Sequence, residues 1–258
     1  MLEDMKPHIA ELRKRLMNIV ITLLVMFVVA FFFYEPILEW MMRPLKEVLP
    51  EGSSMIATGV PEAFFTALKV SFFTAFIFSL PVIFWQLWLF IAPGLYAHEK
   101  KFIVPFTFFA TLMFLLGAAF AYYIVIPLGF EFLVNFGETL VSVSPKINEY
   151  VSFFTKLMIG FGISFELPVI TFFLATVGLV TDQSLKSFFK YAVILIFVLS
   201  AILTPPDVIT QMLMSGPMIL LYGVSIWIAK MINPEKKEDS KKGAKQSAKQ
   251  KPESTDKE

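Results

Sequence analysis

The chain alternates long apolar runs with short polar ones. The apolar runs lie at about 16–35, 64–91, 102–127, 150–178, 188–203 and 208–229. A helix that crosses a bilayer needs roughly 20 mostly apolar residues, so the pattern predicts six membrane-spanning helices. The fifth is the weakest. Only 13 residues separate Lys190 from the "TPPD" at Thr204–Asp207. At about 1.5 Å per residue that is about 20 Å, against a hydrocarbon core of about 30 Å. Extension through Phe188 and Phe189, local thinning of the bilayer, or a re-entrant hairpin would each resolve the shortfall.

The segments between the runs differ in kind. From Glu35 to Glu62 the chain is long and mixed, and "PILEWMMRPLKEVLP" places Ile37, Leu38, Met41, Leu45, Val48 and Leu49 near one helical face. That pattern predicts two short amphipathic helices, broken at Pro44, on the outer surface. Pro61 and Glu62 suit the first turn of the second span. After Asn233 the chain is Lys, Glu, Ser and Gln with almost no apolar residue. The expected division is therefore a membrane domain over 1–232 and a disordered, lysine-rich tail over 233–258. No internal repeat is visible.

Composition supports the same class. Of 258 residues, 57% are hydrophobic and 30 are Phe, more apolar surface than a water-soluble globule of this size needs. Lys6, Arg13, Lys14 and Arg15 precede the first span, and Lys100, Lys101, Lys186, Lys190 and the tail lysines recur on the same side. The opposite loops hold fewer cations, so both termini are predicted in the cytoplasm. The first apolar run is longer than a signal-peptide core and lacks a small-x-small cleavage site, so it reads as a retained span. No transit peptide precedes it, which points to a prokaryotic plasma membrane.

Candidate chemistry is sparse. The chain has no cysteine, which excludes disulfides and thiolate metal sites. His8 and His98 lack partners at metal-ligand spacing, and no phosphate-loop, dinucleotide or esterase signature occurs. No metal, cofactor or nucleic-acid partner is expected, nor a catalytic site. Four polar features remain. "HIAELRKRL" (His8–Leu16) reads as a membrane-surface helix, with Glu11 the residue that this reading leaves unexplained. Glu99 lies beside Lys100 and Lys101 in "APGLYAHEKK", where a solvated loop with a local ion pair accounts for it. "ILTPPDVITQ" has a stop at Pro205-Pro206, a helix cap in Asp207, and Gln211 one turn on, near enough to bond a helix end. Glu166, in "FGISFELPV", is an ionisable group inside a span. Such groups face a bundle interior, a water-filled cavity or a partner chain, and a hydrogen-bonded structural acid is the alternative. Pro168 frees the carbonyl of Ser164 and predicts a bend. Gly160 and Gly162 make room for water or a close helix.

Seven stretches in order and spacing resemble the TatC subunit family of the twin-arginine (Sec-independent) translocase: "HIAELRKRL", "PLKEVLP", "PEAFFTALK", "PVIFWQLWLFIAPGLYAHEKK", "FLLGAAFAYYIVIP", "FGISFELPV" and "LTPPDVITQ". The resemblance covers about residues 5–232. It implies an all-α, six-helix membrane protein arranged as a concave, cupped wall, with the last two helices short and both termini cytoplasmic. It also implies a receptor, not an enzyme, in the cytoplasmic (inner) membrane of a prokaryote. Such a receptor binds twin-arginine signal peptides of folded cargo, recruits TatA- and TatB-type single-span partners, self-associates and uses the proton-motive force. The matching signal-reading acids are Glu11 and Glu99. Arg13 and Arg15 match positions that hold Glu11 or contact residues around the twin arginines, and Leu95 and Tyr96 supply apolar contact. Glu166 and Pro168 match a polar partner-contact point on the concave face. Pro205, Pro206, Asp207 and Gln211 match the outer hairpin at a partner-binding edge. A small-solute transporter using Glu166 as its coupling acid is the competing reading, but it predicts pseudo-symmetry and further mid-membrane acids. A membrane enzyme would need a converging nucleophile, metal or acid–base pair.

Overall fold

The computed structural model describes residues 2–50, 53–91, 103–137, 144–204 and 208–232. These residues are almost entirely helical: α1 (Leu2–Phe32), α2 (Tyr34–Lys46), α3 (Val60–Ile91), α4 (Ile103–Phe120), a π-helical turn (Ala121–Val125), α5 (Ile126–Gly137), α6 (Ile147–Thr176), α7 (Asp182–Leu203) and α8 (Val208–Ile232). Among them, one isolated backbone bridge joins Ile56 to Lys146. Six stretches are long and apolar enough to cross a membrane, with α4, the π turn and α5 counting as one.

Helix α6 is the hub. It packs against α3, α4, α7 and α8, while α1 leans on α3. The core gathers around buried Val151, Phe154, Leu157 and Phe161 of α6. It is completed by Met41 and Leu45 of α2, Val70 and Phe73 of α3, and Met214 and Met218 of α8. Two glycines let α4 and α6 meet closely. A Cβ on Gly117 would lie 2.5 Å from the Phe161 carbonyl oxygen, and one on Gly162 would lie 2.5 Å from the Phe114 ring. Helix association in a bilayer rests on such close van der Waals approach, because lipid tails are as apolar as leucine. Gly160 faces the flexible end of Leu203 on α7, where a Cβ would be 2.7 Å from Cδ1.

Two expectations about helix ends need correction. The segment after the first span is one helix, α2, with Pro44 inside it, and not two helices broken at Pro44. A proline removes the hydrogen bond to the carbonyl four residues earlier, here Trp40. Tyr122 donates its hydroxyl to that oxygen at 3.1 Å, and Tyr150 donates to the adjacent Met41 carbonyl at 2.5 Å. Trp40 also stacks on Tyr122, ring centroids 4.4 Å apart. Both tyrosines come from distant helices, so the end of α2 is satisfied by tertiary contacts. Tyr150→Phe is expected to destabilise the protein by about 0.5–1.5 kcal/mol, since it removes a buried hydrogen bond between distant segments. Thermal unfolding in detergent checks this, and an unchanged midpoint would contradict it.

The fifth span is also longer than its apolar run. α7 has 22 residues, because a capping box between Thr181 and Ser184 starts it before Phe188. The Lys186–Asp182 ion pair at 3.0 Å then carries it through polar residues. At about 1.5 Å per residue, 22 residues reach about 33 Å. Helix α6, by contrast, runs on through Pro168 as one helix, from Ile147 to Thr176. At the end bearing α2, Glu62 ties the connections together. Its carboxylate accepts from the Thr58 and Gly59 backbone and from the Asn148 N–H at 3.2 Å.

Candidate functional site

Residues four apart on a helix share a face. On α1 that rule sets Glu11 beside Arg15. The Arg15 Nη2 is ion-paired to Glu11 Oε1, and its Nη1 donates toward Gln86 Oε1 of α3 at 3.5 Å. Arg15 Nε is buried with no hydrogen-bond partner among the described residues. The Glu11 side chain is 33% exposed and that of Arg15 18%, so solvent reaches the acid more readily than the base. Around them is a cleft of about 390 Å³ lined by Ala10, Glu11, Lys14, Arg15, Asn18 and Gln86. An open carboxylate in an otherwise cationic cleft can receive a guanidinium or ammonium group from outside.

Arg13 is not part of that cluster. Two residues beyond Glu11, it points to another side of α1, is exposed, and lines an adjoining cleft with Ile9 and Met17 that shares Ala10, Lys14 and Asn18 with the first. Of the two arginines expected to hold Glu11 or to contact residues around the twin arginines, Arg15 is the one paired with Glu11 among the described residues. α3 ends at Ile91, five residues after Gln86. Leu95, Tyr96 and Glu99 lie outside the described residues, as do Pro205, Pro206, Asp207 and the tail from Asn233. Gln211 is described: its Nε2 donates to the Phe197 carbonyl of α7 at 3.0 Å, joining the last two helices.

Glu166 is buried, with 6% exposure. It lies one turn beyond Gly162, where α6 touches Phe114. One and two turns further, Val169 and Phe173 pack on Trp88 and Phe106. The acid thus sits on α6 between that helix's contact with Phe114 of α4 and its contact with Trp88 and Phe106 of α3 and α4. Its Oε1 has no hydrogen-bond partner among the described residues. Pro168 faces a different space, an apolar cleft of about 430 Å³ with Pro105, Phe106, Phe109, Phe172 and Ile228. Among the described residues, no group of three or more His, Asp or Glu side chains is placed to hold a metal ion.

The sequence reading passed over Gln86 and Asn18. Gln86 had a signal: it is the one amide in the apolar run from Phe72 to Ile91. Pairing it with Arg15 required knowing that α1 packs on α3.

The comparisons decide the family. The model of the Sec-independent protein translocase protein TatC matches residues 7–217. The chain belongs to the TatC family. TatC of Campylobacter jejuni is 53% identical over 241 residues, covering 92% of this chain and 98% of that protein. TatC of Helicobacter pylori is 49% identical over 239 residues, covering 93% and 92%. A crystal structure of the twin-arginine translocase receptor TatC superposes with a TM-score of 0.80 at 39% identity, covering 87% of this chain and 99% of that one. As a TatC protein, the chain is a multi-pass membrane component of a protein translocase, in a transport family and not a family of enzymes.

Proposed function

We propose that this TatC chain is the receptor subunit of a twin-arginine translocase in a prokaryotic inner membrane, with both termini cytoplasmic. It binds the twin-arginine signal peptides of folded precursors at the cytoplasmic face and nucleates assembly of TatA- and TatB-type partners and further copies of itself. Transport is driven by the proton-motive force. One observation carries this reading: the Glu11 carboxylate already receives a guanidinium, that of Arg15, in a cleft open to solvent. Carboxylates read arginine through charge-assisted, bidentate-capable bonds. Glu11 and Glu99 take the two arginines, Arg13 and Arg15 set the surrounding field, and Leu95 and Tyr96 contact the apolar part of the signal. Photocrosslinking tests the placement. A twin-arginine peptide should crosslink to probes at Asn18 and Gln86, and crosslinks confined to other parts of the molecule would overturn it.

The membrane unit is 1–232, cupped and lipid-bounded. Its partner-contact residues are Glu166, with Pro168 shaping the helix, and the hairpin of Pro205, Pro206 and Asp207 with Gln211. The unpartnered Oε1 of Glu166 supports an acceptor role toward a polar residue of another chain. A buried acceptor oxygen without a bond, as Oε1 is among the described residues, costs stability. Glu166→Ala is therefore expected to leave the thermal midpoint of the purified subunit nearly unchanged while reducing co-purification of TatA- and TatB-type partners several-fold. A large drop in midpoint with normal partner recovery would make Glu166 a structural acid.

A further inference from the structure

We infer that Arg15 is an internal occupant of the Glu11 carboxylate, and that a signal arginine enters by exchange, with Gln86 receiving the displaced Arg15. The inference rests on the proposed reading of Glu11 as the acceptor of a signal guanidinium. Arg15 engages one oxygen, Oε1, through one corner of its fork. A guanidinium binds a carboxylate best through two parallel bonds to both oxygens. An incoming arginine therefore gains its full bond only when Arg15 leaves. A lysine ammonium is a point donor and can sit on the other oxygen with Arg15 in place.

The surroundings favour such an exchange. Arg15 Nη1 already faces Gln86 Oε1 at 3.5 Å, long for a hydrogen bond, so closer approach is available. Its Nε is buried and unpartnered among the described residues, so the resting position does not satisfy the group. Gln86 sits on a different helix from Glu11, and leaning toward it draws Arg15 away from the acid. In this arrangement Arg15 sets the threshold for entry and Gln86 lowers it. Together they sharpen the choice of arginine over lysine.

The test uses the full chain in lipid nanodiscs. Two synthetic peptides are compared by fluorescence anisotropy, each with an apolar segment preceded by two arginines or by two lysines. Exposed and half-exposed ion pairs are worth little, so removing Arg15 should act modestly. Arg15→Gln is expected to tighten twin-arginine binding about two- to five-fold and twin-lysine binding by a clearly smaller factor, from lost charge repulsion alone. Gln86→Leu is expected to weaken twin-arginine binding by a similar factor, and the double variant should behave like Arg15→Gln alone. Arg15→Lys keeps the charge and helix propensity and should fall between wild type and Arg15→Gln. Weaker twin-arginine binding in Arg15→Gln, or an equal shift for both peptides, would overturn the exchange and make Arg15 a residue that positions Glu11. If wild type does not prefer arginine, or Glu11→Gln binds as wild type does, the recognition reading itself fails.

Discussion

Gly117→Ala is expected to destabilise the purified protein by about 1–3 kcal/mol, the cost of forcing an extra methyl into a filled interface. The added Cβ would lie 2.5 Å from the Phe161 carbonyl oxygen, 2.9 Å from its carbonyl carbon and 2.9 Å from the Phe165 Cβ. Two of these atoms are backbone, so no side-chain rotation relieves the contact, and α4 and α6 must separate. Phe120, which packs on Phe161 and Phe165 with centroids 5.5 and 5.7 Å apart, would shift with them. Gly223→Ala on α8 is the matched control, because nothing lies within 4 Å of its added Cβ. It should leave stability unchanged or slightly raised, as alanine is the better helix former. Thermal unfolding of both variants in one detergent decides the matter. Equal midpoints would contradict the close α4–α6 contact on which the hub around α6 depends.

The second large effect concerns recognition. Glu11→Gln keeps the shape of the side chain but removes its charge. A hydrogen bond to a charged group contributes about 1.5–3 kcal/mol, so twin-arginine binding should fall by about ten- to a hundred-fold. With Glu99→Gln added, both proposed acids are neutral, and site-specific crosslinking of the signal peptide should be lost. Fold should survive, because the Glu11–Arg15 pair is half-exposed and such pairs add little to stability. Undiminished crosslinking in the double variant would remove both acids from the recognition site.

The sequence made some of this structure legible and hid the rest for physical reasons. The six spans could be read because bilayer thickness imposes a minimum apolar length, and each run met or approached it. Glu11 stood out as the acid among cations, and its neighbour Arg15 follows from helical spacing alone. Gln86 was visible as a lone amide, but its role depends on how α1 leans on α3. Pro44 misled for the same reason: the hydroxyls that satisfy the end of α2 belong to Tyr122 and Tyr150, about 80 and 110 positions away. α7 was under-read because its first turns are held by a capping box and an ion pair, which apolar periodicity does not register. Glu166 was legible as an expensive residue, but its enclosure between the Phe114 contact and the Trp88 cluster was not, since three helices build it.

The central claim is that this chain reads paired arginines. The most direct measurement is co-purification of the intact chain with a folded precursor bearing a twin-arginine signal, beside the same precursor with two lysines. The twin-arginine precursor should be retained and the twin-lysine precursor lost on washing. Equal recovery of the two would contradict it.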